Sequence, residues 1–502
     1  MFPTSMLQRE WTTSVAQRAP LPAIGIERAA RIAGIAAWVL LGAAALALAL
    51  VFSTQPQYDS MYSLLWGREI ADGQLPGFET YRGPTPHPLL LAVSVLLGPL
   101  GDTGGRIIVA LCCLSVVALA IAAFRLGRVA AGVLGGVLAA GLIATRLNLW
   151  LLASIGFLDV PYIALVGWAA ALEAERPRRG GAVWVLLALA GLLRPEAWIL
   201  AAIYALWIGW PGGLGGLVRA GAKAAVAPAL WMAVDLVVTG APLFSLQHTD
   251  ALALELQRQR PLTEIPGLAL GLLEEIVKLP VLLAAAGGGL AAIALRRREL
   301  AVPAVLVAAT CGTYAIIATG GLPSVYRYLL NAGTGLVVLA AFGLAGWTLL
   351  PRSSPWRLRW AVPAIVLLVA GAAWTAAKTN PGKARIVLQD RVDLRRDLRA
   401  ALTSPAALDA RRCGPISVPN HKLIPEVRSI LGLPDGAVIA RSQRSRAPQR
   451  TGLALVIDRR IERLPALDIY EVPRDGGAIL QVPPPGFRLL GGNRSFAAYG
   501  AC

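Results

Sequence analysis

Ten ionisable residues sit where long apolar runs begin or end, or in the loops between them: Asp59, His87, Arg146, Asp159, Arg194, Glu196, His248, Asp250, Arg258 and Arg327. A charge beside such a run is costly unless it is paired or does chemistry. An aspartate can take a proton from a hydroxyl as general base, and a planar guanidinium with several donors suits a phosphate. Each residue also has a plainer role. Asp59 is an N-cap for the helix it precedes, or a base, and the two are compatible. Asp159, in FLDVPY with Pro161 in the first turn, caps a helix or orients an acceptor or a metal. In GLLRPEAW, Pro195 breaks a helix, and Arg194 with Glu196 makes a neutralising ion pair or a phosphate site. SVYRYLL sets Tyr326, Arg327 and Tyr328 at the head of an apolar run, as interfacial anchors with a snorkelling arginine or as a phosphate ligand set. His248, in SLQHTD, makes no recognisable metal site by itself and supports the cavity from its loop.

The elements that must position these residues are membrane helices. Of 502 residues, 56% are apolar and 15% charged, and the mean hydropathy is +0.61. That balance lies far from a soluble enzyme's. Apolar stretches of bilayer length recur, closed by arginines or Gly/Pro. Spans are expected at about 33–52, 106–124, 129–146, 159–174, 181–194, 197–212, 222–239, 278–295, 301–319, 327–349 and 360–377. Residues 1–32 are polar and arginine-bearing and read as a cytoplasmic segment before the first anchor, not as a cleavable signal.

With the N-terminus inside, every inner loop is basic: Arg125/Arg128, Arg176/Arg178/Arg179, Arg219/Lys223, Arg296–Arg298 and Arg352/Arg357/Arg359. The stretch His87–Gly101 would reach only about 20 Å as a helix, and counting it as a span would invert all later loops. It therefore reads as interfacial or re-entrant. The loop 53–105 is then outside, with Tyr62, Leu65, Trp66 and Ile70 spaced for an amphipathic helix on the membrane surface.

From residue 380 the composition changes to short apolar runs among charged stretches and Gly/Pro turns, the pattern of a small α/β domain. The net charge of +18 splits between inner loops and this tail, which holds 20 Lys/Arg against 11 Asp/Glu. No zinc-finger spacing or aromatic-interleaved basic motif accompanies it, so nucleic acid is not an expected partner. Cys413 and Cys502 lie in the tail, where an extracytoplasmic compartment permits a disulfide; Cys112, Cys113 and Cys311 sit in apolar runs as small hydrophobes. Walker, GxGxxG, GxSxG and HExxH signatures are missing, which argues against a nucleotide-driven pump and a soluble-type hydrolase.

Several segments resemble the GT-C superfamily of polyprenyl-phosphate-sugar-dependent glycosyltransferases, in the branch of protein O-mannosyltransferases and lipid A aminoarabinose transferases. YDSMYSLLWGREIADGQLPGFETYRGPTPHPL looks like its acidic first outer loop, FLDVPY like its acidic position before the fourth span, and VTGAPLFSLQHT with VYRYLL like later outer-loop elements. The likeness covers roughly residues 30–350. It implies a GT-C-like fold for the all-α membrane domain of about 11 spans over residues 33–379; the tail, 380–502, resembles no family and is expected, from its own pattern and the odd span count, to be an extracytoplasmic α/β domain. The likeness also implies inverting transfer from a polyprenyl-phosphate-linked sugar, with Asp59 as catalytic base. Arg194, Arg327, His248 and Tyr326 would hold the donor phosphate or sugar, and Asp159, Glu196 and His87 would stand near the acceptor or behind those contacts. RGPTPHP lacks the second acid of some relatives, and Asn331 stands where relatives often carry proline. A divalent cation accordingly remains an open element.

The implied partners are the lipid-linked donor, an envelope glycan, lipid or protein acceptor, and membrane lipids. Ala-, Arg- and Gly-rich usage suits a high-GC bacterial source, and the expected location is the bacterial cytoplasmic membrane. A transporter or flippase for lipid-linked glycans, or a noncatalytic assembly subunit, would use the same arginines as a binding path. The internal repeat common in transporters is not evident.

Overall fold

The computed structural model describes residues 24–52, 54–255, 261–321, 324–443, 449–457 and 482–502. Arg258, named above, lies outside them, as does most of segment 1–32; the first helix, α1, already begins at Ile24 and runs to Phe52.

Two short helices follow, α2 (Tyr58–Ala71) and α3 (Pro88–Leu97), the latter prolonged by a 3-10 turn, Gly98–Leu100. Then come α4 (Asp102–Ala144), α5 (Leu147–Ser154), α6 (Asp159–Glu175), α7 (Gly181–Leu193) and α8 (Glu196–Gly209). Next are α9 (Gly213–Ala224), α10 (Val226–Thr239), α11 (Phe244–Glu255) and α12 (Ile265–Val277). The bundle ends with α13 (Leu279–Ala294), α14 (Ala301–Thr319), α15 (Leu330–Ala345) and α16 (Pro355–Lys378).

Helix α4 is two arms. Its helical path breaks at Ala131 and at Gly132, where φ is 69°. A Cβ on Gly127 would lie 2.4 Å from the Gly135 carbonyl oxygen, so the arms fold back with backbone against backbone. Small residues allow that approach in lipid, where close packing replaces the hydrophobic effect. The α8–α9 junction repeats the device at Gly213 (φ 59°), with Gly209 against Gly216. The spans expected at 106–124 and 129–146 are the two α4 arms.

Each expected span falls on a helix. Among the described residues, however, six helices are long and apolar enough to cross a membrane, or eight if each of two sharply bent pairs makes one crossing. Helix α7, with 13 residues, reaches only about 20 Å, short of a hydrocarbon core of about 30 Å. The chain is a multi-pass membrane protein, and α4 and the α8–α9 segment each enter that six once although each folds back on itself.

The tail forms α17 (Pro381–Thr403), α18 (Pro405–Ala410), β1 (Ile416–Val418), α19 (Ile424–Leu431), β2 (Val438–Ala440), β3 (Gly452–Ile457), β4 (Arg488–Gly492) and β5 (Phe496–Ala501). Asn380 caps α17 by accepting from the Lys383 amide at 2.9 Å. The sheet order is β2-β1-β3-β5-β4; β1 runs parallel to β2 and β3, while β5 is antiparallel to β3 and β4. Cys413 and Cys502 are joined in a disulfide, with Cα atoms 5.3 Å apart.

This domain covers α2. Tyr58, Tyr62, Trp66 and Phe78 share one core with Leu394, Leu398, Val418, Val427 and Phe496. Helix α2 therefore does not lie on the membrane surface with its aromatic face in lipid; that face is roofed by protein. Tyr62 and Trp66 are fully buried, and rings of that size contribute most to stability where they are removed from water altogether. Ion pairs fasten the roof. Arg428, with no exposed surface, pairs with Glu69 of α2 and with Asp435 at 3.0 Å. Asp102 takes Arg395 at 2.7 Å and Arg399 at 2.5 Å.

Candidate active site

Five of the residues singled out above meet in one chain of alternating charge. The Asp59 carboxylate is 3.1 Å from Arg327, and Arg327 is 3.5 Å from Asp159. Asp159 is 3.1 Å from Arg194, which is 2.5 Å from Glu196. They come from the starts of α2, α6 and α8, the break before α8, and a 3-10 turn, Tyr326–Leu329, leading into α15. Helix starts offer partial positive charge, which favours carboxylates in a first turn. Neither aspartate serves as the N-cap, a position held by Gln57 and Leu158.

Burial grades along the chain. The Asp159 side chain is fully buried and Arg194 5% exposed, whereas Asp59 is 16% and Arg327 25% exposed. The Asp59–Arg327 end is thus the one a ligand can reach. Aromatic rings fix the guanidiniums: Arg327 lies 5.3 Å from the Phe157 ring centre and Arg194 5.3 Å from that of Tyr328. Cation–π contacts of this kind are strongest when desolvated.

Burial pulls the Asp59 pKa upward, but Arg327, then His87 and Lys422, outweigh it and hold the carboxyl below its ordinary value. His87, buried at the head of α3 and edge-on to Trp231, is pushed down to about 4, chiefly by burial, and is neutral at pH 7. An ionised carboxylate near a neutral imidazole suits proton abstraction from a hydroxyl.

Tyr326 stacks on Phe157 at 6.4 Å and lines an apolar groove of about 410 Å³ with Leu149, Ile163 and Val337. Arg146 and Glu275 line the same groove, and Arg146 donates to the Glu275 carbonyl at 3.1 Å. The groove therefore has one cationic and one anionic side chain and the Tyr326 phenol among apolar walls, a fit for an amphiphile.

His248 does not join the chain. Its Nε2 lies 3.0 Å from the Gly83 carbonyl oxygen and its ring stacks on Phe244, so it fastens α11 to the loop before α3. Arg82 with Glu255 and Thr85 with Thr249 reinforce that clasp. Asp250 is exposed on α11. Phe157 went unnoticed in the sequence, although FLDVPY sets it two residues before Asp159. Among the described residues no group of three His, Cys, Asp or Glu side chains is gathered for a metal, and the site carboxylates face guanidiniums.

Fold and site together define a multi-pass membrane protein whose helical bundle ends in a largely buried chain of charges beside a small α/β domain. The chain shares this architecture with ArnT from Cupriavidus metallidurans. The crystal structure of ArnT bound to undecaprenyl phosphate matches with a TM-score of 0.56 at 15% identity, over 92% of this chain and 98% of that one. The apo structure matches at 0.55 and 13%, over 93% and 98%. The helical membrane bundle with a small C-terminal α/β domain expected from the sequence is the fold the chain shares with ArnT. No family model and no curated protein matches the sequence.

Proposed function

We propose that this protein is a membrane glycosyltransferase of GT-C type that moves a sugar from a polyprenyl-phosphate donor to an acceptor outside the cytoplasmic membrane. One observation carries the reading: a carboxylate held by an arginine at the open end of a buried charge chain, beside an apolar groove. The undecaprenyl phosphate bound by ArnT supports a donor of that chemistry. The prenyl chain lies in lipid with its first units in the groove beside Tyr326. The donor phosphate takes Arg327, which releases Asp59 from its ion pair and makes it a better base.

Asp59 accepts the proton of the acceptor hydroxyl as the hydroxyl oxygen bonds to the anomeric carbon. The bond from that carbon to the phosphate oxygen breaks, and polyprenyl phosphate leaves with the electron pair. Inversion follows from such in-line attack. Arg327 and Arg194 stabilise the charge gathering on the leaving phosphate, and Asp159, shared between them, holds both in place.

The orientation is argued from charge. Arg125, Arg128, Arg178 and Arg179 gather at the far end of α6, which the positive-inside rule assigns to the cytoplasm. The charge chain and the disulfide-bearing domain then lie outside, where a disulfide persists.

The test is transfer in proteoliposomes from labelled polyprenyl-phosphate sugars. Asp59→Asn is expected to lower the rate about 10²- to 10⁴-fold while the fold survives. A variant as active as wild type removes Asp59 as the base. A wild type that moves labelled lipid across the bilayer, yet transfers sugar from no donor, makes the protein a flippase instead.

A further inference from the structure

The charge chain holds three carboxylates, Asp59, Asp159 and Glu196, against two guanidiniums, Arg194 and Arg327. It is one negative charge in excess before any substrate arrives. A phosphate added to so buried a place meets repulsion and loses its hydration, so a further cation is needed near the open end. Among the described residues, the basic groups acting on Asp59 are Arg327 and His87 from the bundle and Lys422 from the α/β domain; His87, neutral at pH 7, adds no charge there.

Lys422 sits in a 3-10 turn, His421–Leu423, between β1 and α19. Asn420 caps the turn, its side chain accepting from the Lys422 amide at 3.1 Å. His421 is buried edge-on to the rings of Tyr58 and Tyr81, at 5.6 and 6.3 Å. This wedge places the Lys422 ammonium 5.0 Å from the Tyr58 ring centre, one residue from Asp59. The ion pairs of Arg428 with Glu69 and of Arg395 and Arg399 with Asp102 dock the domain in that position. The domain thereby contributes a side chain to a pocket otherwise built from the bundle.

We infer that Lys422 is a phosphate-binding residue of the transfer site, so that the site is complete only when the C-terminal domain is docked. The inference rests on the proposed reading that a phosphate-bearing lipid occupies this pocket. When that phosphate draws Arg327 away from Asp59, the Lys422 ammonium over the Tyr58 ring, which already acts on Asp59, balances the added charge. The phosphate is either the one linking sugar to prenyl chain or one carried by the acceptor.

Equilibrium binding of undecaprenyl phosphate to the full-length protein in lipid nanodiscs tests this. Lys422→Gln should weaken binding roughly tenfold or more, and Lys422→Met, which keeps the apolar stem over Tyr58, should do the same. Lys422→Arg should recover most of the affinity, with melting temperatures unchanged across the set. Unchanged binding with a raised KM for the acceptor alone would place the residue on an acceptor phosphate. Wild-type binding and unchanged KM for both substrates in Lys422→Gln would overturn the inference while leaving Asp59 and the donor untouched. A wild type that does not bind undecaprenyl phosphate would remove the donor reading, and the inference with it.

Discussion

Helix α6 carries arginine–carboxylate contacts at both of its ends, about 24 Å apart, and the two ends are built differently. At its start, Asp159 is fully buried and shared by Arg194 and Arg327. At its finish, Glu175 takes Arg125 and, at 3.6 Å, an Arg128 that is 53% exposed. Nearby, Glu173 accepts from the Arg178 amide, the Tyr204 hydroxyl and the Trp207 indole, which ties down the turn into α7. The same residue types thus form a dehydrated chain at one end and, at the other, a wetter cluster that organises a loop. What differs is the hub: Arg194 and Asp159 are 5% and 0% exposed, whereas Arg125 and Glu175 are 25% and 18% exposed, as open as Arg327 and Asp59, so charge couples more strongly through the buried hub than across the cluster.

Removing the hub of the buried end should break the comparison most visibly. Asp159→Ala leaves two guanidiniums facing one another without their carboxylate, and the loss expected is about 3–5 kcal/mol, read as a large fall in melting temperature in detergent. Arg327→Gln should cost transfer about 10- to 100-fold through the lost phosphate contact. It should also move the acid limb of the rate profile to higher pH. The sign follows from Asp59: Arg327 holds its folded pKa below the ordinary value, so its active, ionised form is present above that pKa and lost as pH falls through it. Without the guanidinium the loss begins at higher pH. An unshifted limb would mean that another group limits the rate. At the wetter end, Arg128→Gln should change stability by no more than about 0.5 kcal/mol; a loss as large as that of Asp159→Ala would erase the distinction between the two ends.

Much of the bundle was legible because lipid imposes long apolar runs, and charges at their ends stand out against them. Asp59, Asp159, Arg194, Glu196 and Arg327 were noticed for that reason. The Arg194–Glu196 pair was legible in GLLRPEAW, but the distant pairings were not, since Arg327 and Asp59 are 268 positions apart and no local pattern reports such a contact. His248 shows the converse: a rare residue in a loop facing the site turned out to clasp a neighbouring loop. The spacing of Tyr62, Leu65, Trp66 and Ile70 correctly marked a helix with an apolar face, but spacing does not say whether lipid or protein covers it.

By itself the sequence determined a polytopic helical bundle, the sorting of arginines toward one end, and a tail of different material, because hydropathy and charge act locally along the chain. Only the tertiary structure decided that the α4 arms pack backbone against backbone across the break at Gly132, and that α8 and α9 fold into a hairpin at Gly213. It also decided that five scattered charges meet in one chain, and that the tail roofs α2 and brings Lys422 to Asp59. Those outcomes depend on which surfaces exclude water from one another, and that is a property of the packed molecule.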